Sequence, residues 1–182
     1  QTRLGAMVRE LSNDGHCVQV VTCMPNYPTG AIFDSHRGRL WSTEAYGDVS
    51  VRRTWVYAAT GTGWRRLLNY LSFTMTSVIG LVRTGKADLM FIESPPLFLA
   101  VPCLLYARLR RIRTVFNVAD IWPDAAVAVG ALAEGRVLRI MYRLERWIYR
   151  TADVVTTVTD GVVERLKNKG VDEGSIVLLP NG

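Results

Sequence analysis

The chain has 182 residues, of which 49% are hydrophobic and 21% charged, and its 22 lysines and arginines outnumber 16 aspartates and glutamates for a net charge of +6. This is the composition of one compact globular domain, and its longest apolar runs, LFLAVPCLLYA (97–107) and MTSVIGLV (75–82), fall short of the ~20 residues of a spanning helix. Three cysteines without a CxxC pair or a Cys/His cluster argue against a zinc site or a disulfide framework, so they read as small core hydrophobes in a reducing compartment, and His16 and His36 read as structural.

Leu4, Met7, Val8 and Leu11 repeat at helical spacing, closed by Gly15. HCVQVVTC reads as a strand, MPNYPTG as a loop, residues 32–48 carry no clear pattern, and VSVRRTWVY reads as a second strand. A long helix follows, on which Trp64, Leu67, Leu68, Leu71, Met75, Val78, Ile79 and Val82 form one continuous face that Gly85 ends. DLMFIES is a short apolar strand, and Ser94-Pro95 reads as the cap and first turn of the next helix. RTVFNV is a strand, WPDAAVAV a short helix, and 135–151 a longer helix. ADVVTTVT, DGVVERLKNKG and SIVLLPNG then read as strand, helix and strand.

Nearly apolar strands alternating with helices predict a doubly wound α/β fold, a parallel sheet covered on both faces. Such a chain ordinarily opens on a strand, whereas this one opens on a helix, so a first strand is expected upstream of Gln1.

In open α/β sheets ligands bind at the carboxyl ends of the strands. That rule selects Asn26 and Tyr27 after the first strand, Glu93 and Ser94, Asn117 with Asp120 and Trp122, and Thr159 with Asp160. Asp120 reads either as a group that orients a substrate hydroxyl or as a carboxylate at a helix start; Asp124, inside the first turn, reads as structural. GTGWRR (61–66) has Arg66 where a dinucleotide fingerprint has its third glycine, and no acid follows to hold a ribose, so it reads as a helix-entry turn. No Walker lysine motif, GxSxG elbow or HExxH is present.

The positive charge is unevenly spread. Between Asp48 and Asp88 there is no acidic residue, while Arg52, Arg53, Arg65, Arg66, Arg83 and Lys86 all fall there. Arg136, Arg139, Arg143, Arg146 and Arg150 form a stripe on the 135–151 helix, with Val137, Met141, Leu144 and Ile148 on the other side. Such surfaces are either solvated or face an anionic partner such as lipid headgroups. The basic residues lack a DNA- or RNA-recognition motif, so no nucleic-acid partner is expected.

Six segments in order, PNYPTG, RTWVYAATGTGWRRLLNYLSF, ESPPLF, NVADIWPDAAVAVGAL, TADVVTTVTDG and LLPNG, resemble the N-terminal half of a bacterial family 4 glycosyltransferase of the GT-B type. The likeness is to the subgroup of colanic-acid fucosyltransferases and other exopolysaccharide or O-antigen sugar transferases, and it covers nearly the whole chain. It implies two Rossmann-like domains facing a cleft, the N-terminal one for the acceptor. The C-terminal one would hold most of the nucleotide-sugar site. Transfer in that family is typically metal-independent and retaining. By this resemblance residues 1–182 are a single N-terminal domain that does not transfer sugar alone. The donor, a UDP- or GDP-linked sugar, is then held mainly by a domain outside this sequence, with no other cofactor and no metal.

ADIWPD resembles the loop that projects into the cleft, and Ala119 stands where many members carry a His or Arg. That leaves Asp120 as the polar group facing the acceptor or the transferring sugar. The implied setting is cytoplasmic, peripheral to the inner face of the plasma membrane, with a lipid-linked sugar acceptor. Arg52, Arg53, Trp64, Arg65 and Arg66 would contact anionic lipid. A non-catalytic α/β module binding a nucleotide or anion is the alternative.

Overall fold

The computed structural model describes residues 2–61, 63–124, 127 and 135–180. The chain divides into two compact units, Gln1–Gly85 and Lys86–Asn181.

In the first unit, helix α1 (Thr2–Asn13) leads into β1 (Gln19–Cys23), β2 (Trp41–Tyr46), β3 (Val49–Thr54) and helix α2 (Trp64–Val82). The sheet order is β1-β3-β2, with β1 parallel and β2 antiparallel to β3. β2 fills part of the stretch that carried no clear pattern. It forms because Gly47 and Asp48 make a two-residue hairpin between the paired Tyr46 and Val49. Gly47 supplies the positive φ, +60°, that a turn matching strand twist needs at its first position.

β3 ends at Thr54, earlier than the expected Tyr57, because the backbone beyond it bonds to side chains of α2. The Asn69 amide donates to the Tyr57 carbonyl (2.8 Å), the Tyr57 N–H donates to Ser72 Oγ (2.9 Å), and Thr76 Oγ1 donates to the Trp55 carbonyl (2.5 Å). Gly80 completes this side of the helix: a Cβ there would stand 2.5 Å from Val21 Cγ1. α2 thus lays its small and polar residues on the sheet. Its apolar face, Trp64 to Val82, points outward and is exposed.

The second unit holds β4 (Leu89–Ser94), α3 (Ala100–Arg110), β5 (Arg113–Val118), α4 (Arg136–Thr151), β6 (Val154–Thr157), α5 (Asp160–Asn168) and β7 (Ile176–Leu178). Its four strands are all parallel, in the order β4-β5-β6-β7. Ile92, Phe116, Val118 and Val155 are buried in the strands, and Ala100, Leu104, Ala107, Ile148 and Leu166 in the helices that cover them. The expected α/β class with a helix-flanked parallel sheet is therefore what the chain forms.

Four details depart from expectation. Ser94 does not cap α3: it closes β4 opposite Val118, and the helix begins at Ala100 after a 3-10 turn over Leu97–Leu99. The reason is that Pro95 precedes Pro96, and a residue before proline is forced out of helical backbone. On α4 the inward residues are Leu138, Glu145, Ile148 and Tyr149, while Val137 is exposed beside the arginine stripe. Cys17 is exposed, and only Cys103 of the three is fully buried, which pushes its thiol up to about 12. The short helix expected over 122–129 is described only in part: Trp122 and Pro123 form a turn, Asp124 and Val127 are helical, and Ala125, Ala126, Ala128 and Val129 lie outside the described residues.

Candidate active site

At the carboxyl end of the parallel sheet a polar row crosses three strands. Glu93 of β4, Asn117 of β5 and Thr156 of β6 are register partners. The Asn117 amide donates to Glu93 Oε2 (3.0 Å), and Thr156 Oγ1 donates to Asn117 Oδ1 (2.8 Å). Asn117 is wholly buried, and both ends of its amide are therefore satisfied within the sheet. One strand position further on, Thr157 Oγ1 donates to the Val118 carbonyl (3.0 Å). This row fixes the ends of β4, β5 and β6 against one another, and the loops leave from it.

The loop after β5 carries Asp120. Its carboxylate is exposed at a bend, between Val118, which is buried, and Ile121, only 5% exposed. Trp122 packs edge-on against Phe98, ring centres 5.4 Å apart, and Pro123 is fully buried. Hydrophobic anchors on both sides thus hold the loop while the carboxylate faces solvent, an arrangement suited to positioning a reacting group. Trp122 is occupied in packing with Phe98. Thr159 is the extended residue before α5, and Asp160 opens that helix; both are exposed. Ser94 is buried at the base of the same edge.

A cluster that the sequence analysis did not find anchors the far end of the Asp120 loop. Lys169 Nζ lies 3.0 Å from Asp124 Oδ2 and 2.9 Å from Glu145 Oε2, and sits 4.9 Å over the ring of Tyr142. The Tyr149 hydroxyl donates to Glu145 Oε1 (3.0 Å). Burial pushes the Glu145 carboxyl above its usual range, against the lowering pull of Lys169. Burial works against the Lys169 ammonium too, but two facing carboxylates outweigh it and hold its pKa above the ordinary lysine value. One signal was available: Glu145 is an acid inside the apolar side of α4, and buried acids require partners.

The remaining expected site residues belong to the first unit. Asn26 sits in the loop after β1, where its side-chain amide donates to the Met24 carbonyl (2.8 Å) and its backbone carbonyl accepts from Gly30 N–H (2.7 Å). Tyr27, beside it, is exposed. Of the residues expected to meet lipid, Trp64, Arg65 and Arg66 are exposed on the first turn of α2. Arg52 and Arg53 lie on β3 and are bonded within the sheet, Arg52 Nη1 to Gln19 Oε1 (2.7 Å) and Arg53 Nε to Glu44 Oε2 (2.8 Å). Glu44 also bonds His36, and although burial opposes it, these two partners hold its carboxyl below the ordinary range.

Compared with known protein families, residues 1–182 match the glycosyl transferase 4-like domain from end to end. The chain belongs to that family. This bears out the resemblance drawn from the six sequence segments. Within the family, the chain is 29% identical over 183 residues to an Escherichia coli (strain K12) protein named as a colanic acid biosynthesis glycosyl transferase, WcaI. The match covers 97% of this chain and 45% of that protein.

Proposed function

We propose that the chain is the acceptor-binding domain of a retaining, metal-independent glycosyltransferase of bacterial cell-surface polysaccharide biosynthesis. The family match over residues 1–182 carries this reading, and the name of the 29%-identical relative supports its setting in polysaccharide synthesis. The acceptor is a lipid-linked sugar. The donor is a UDP- or GDP-linked sugar held mainly by chain beyond this sequence, so residues 1–182 alone do not turn over. The protein works at the cytoplasmic face of the plasma membrane as a peripheral protein.

In such a transfer an acceptor hydroxyl bonds to the anomeric carbon of the donor sugar as the nucleoside diphosphate leaves. Asp120 is assigned to hold the reacting partner, through a hydrogen bond accepted from an acceptor or sugar hydroxyl. Its loop keeps it in place through Ile121, Trp122 and Pro123, so little ordering is needed at the moment of reaction.

The test is Asp120→Asn in the full-length enzyme, assayed with a panel of UDP- and GDP-sugars and a lipid-linked acceptor. A positioned carboxylate lost in this way should cost about 100-fold or more in kcat/KM, with an unchanged circular dichroism spectrum. Unchanged kinetics would remove Asp120 from the reaction.

A further inference from the structure

Ser35, His36 and Glu44 form a hydrogen-bonded chain on the first unit, and none of the three has a part in the proposed sugar transfer. Ser35 Oγ lies 2.8 Å from His36 Nδ1, and His36 Nε2 bonds Glu44 Oε1. Ser72, Ser77 and Ser175 direct their hydroxyls to backbone carbonyls, at 2.9, 2.8 and 2.7 Å. Ser35 instead meets a basic ring nitrogen. Its residue is exposed, so a substrate can reach it, while the His36 side chain is only 15% exposed.

The chain is held at both ends. Ser35 and His36 share the 3-10 turn Asp34–His36, which the His36 N–H closes by donating to the Phe33 carbonyl (2.8 Å). Glu44 stands on β2 opposite Val51, two residues from Arg53 on β3, so the two charged side chains meet on the diagonal of one sheet face. Arg53 Nε donates to Glu44 Oε2 (2.8 Å), and Arg53 Nη1 donates to the Cys23 carbonyl (3.3 Å). Ser42 Oγ lies 3.4 Å from Glu44 Oε1, so both carboxylate oxygens have partners. This frame decides where the protons sit. Glu44, ion-paired with Arg53, can only accept, so the neutral His36 ring carries its hydrogen on Nε2. The lone pair is then on Nδ1, and Ser35 must donate to it. A hydroxyl donating to an imidazole whose other nitrogen is held by a carboxylate is the arrangement that activates a serine, and it is recognised by geometry rather than by position in the chain.

We propose that Ser35 is an acyl-accepting nucleophile, with His36 as its general base and Glu44 as the positioning residue that orients His36. Ser35 Oγ bonds to the acyl carbon of an ester as its proton passes to His36 Nδ1. The bond from that carbon to the leaving oxygen or sulfur breaks, and the leaving group departs with the bonding pair, its charge balanced by the proton on His36. The site supplies a nucleophile and a base. The substrates it fits are therefore activated esters and thioesters, whose leaving groups depart as stable anions.

The experiment treats the full-length protein with p-nitrophenyl acetate and, separately, with a fluorophosphonate, and follows p-nitrophenolate release and the intact and fragment masses. Wild type should gain an acetyl or a phosphonyl group at Ser35, the latter forming as the P–F bond breaks and fluoride leaves. Ser35→Ala should lose that gain, and His36→Gln should slow acetylation by about tenfold or more, both with native circular dichroism. Nitrogen NMR of the His36 ring, at a pH where the ring is neutral, should show an unprotonated Nδ1 in wild type and mixed tautomers in Glu44→Gln. A wild type that takes no label at Ser35, or a label that forms as fast in His36→Gln, would overturn the proposal. A wild-type ring with its proton on Nδ1 would overturn it independently of any variant, and an unchanged tautomer in Glu44→Gln would remove Glu44 from it.

Discussion

α2 and α4, 19 and 16 residues long, are both sharply two-sided, yet they face their sheets in opposite senses. α2 presents Asn69, Ser72, Thr76 and Gly80 to β1, β3 and the chain after β3, and turns its leucines outward. α4 buries Leu138, Ile148 and Tyr149, the last with its ring 6.1 Å from that of Phe116, and turns its arginines outward. The difference follows from what each neighbouring segment leaves unsatisfied. After Thr54 the chain leaves the ladder with the Trp55 carbonyl and both backbone groups of Tyr57 to be paired, and the polar side of α2 pairs them. β5 and β6 pair with each other in register, so apolar area decides the face of α4. The one acid on that face, Glu145, then needs Lys169.

The comparison breaks hardest at Lys169. Replacing it by Met leaves Glu145 buried without its cation, and the expected loss is about 3–5 kcal/mol in denaturant unfolding. Combining Lys169→Met with Glu145→Leu should recover most of that loss. A single variant as stable as wild type would mean that the cluster does not hold α4.

A smaller effect contrasts the two sides of α2. Gly80→Ala drives a Cβ to within 2.5 Å of the stiff Val21 side chain and 3.3 Å of Thr54 Cγ2. The expected cost is about 1–3 kcal/mol. Met75→Ala on the exposed arc should stay within about 0.5 kcal/mol. Equal costs in the two variants would contradict the reversed orientation.

The smallest effect is in pH. Glu44 has its pKa lowered in the folded state by Arg53 and His36, against burial, so its contribution is present above the ordinary value of 4.5 and is lost as pH falls through the lower folded-state value. Lys169 is raised by Glu145 and Asp124, again against burial. Its contribution is complete below 10.5 and is lost as pH rises through the higher folded-state value. Unfolding midpoints measured against pH should show an acid limb that Glu44→Gln flattens and an alkaline limb that Lys169→Met flattens. If each substitution altered the other limb, the assignment would be reversed.

Local pattern was enough for much of the fold. RTVFNV coincides with β5, and α2 runs over the span its apolar period marks, because both are set by neighbours within a few residues. The β2–β3 hairpin was also legible in principle, through Gly47-Asp48 between strand-like segments, but the mixed stretch before it obscured the signal. The Asp120 loop stood out because an aspartate, a tryptophan and a proline follow a buried strand directly. Lys169 did not, because it meets Asp124 and Glu145 across 45 and 24 residues of chain, and nothing local marks such a pairing.

The sequence by itself determined the elements, the α/β class, the charge-depleted and charge-rich stretches and the family, since each is written in short-range spacing or in ordered motifs. Tertiary structure alone decided which face of α2 looks outward, how Glu93, Asn117 and Thr156 join across three strands, and which lysine neutralises Glu145. Those outcomes depend on unpaired backbone groups and buried charges finding partners far along the chain, and such partners exist only once the sheets have formed.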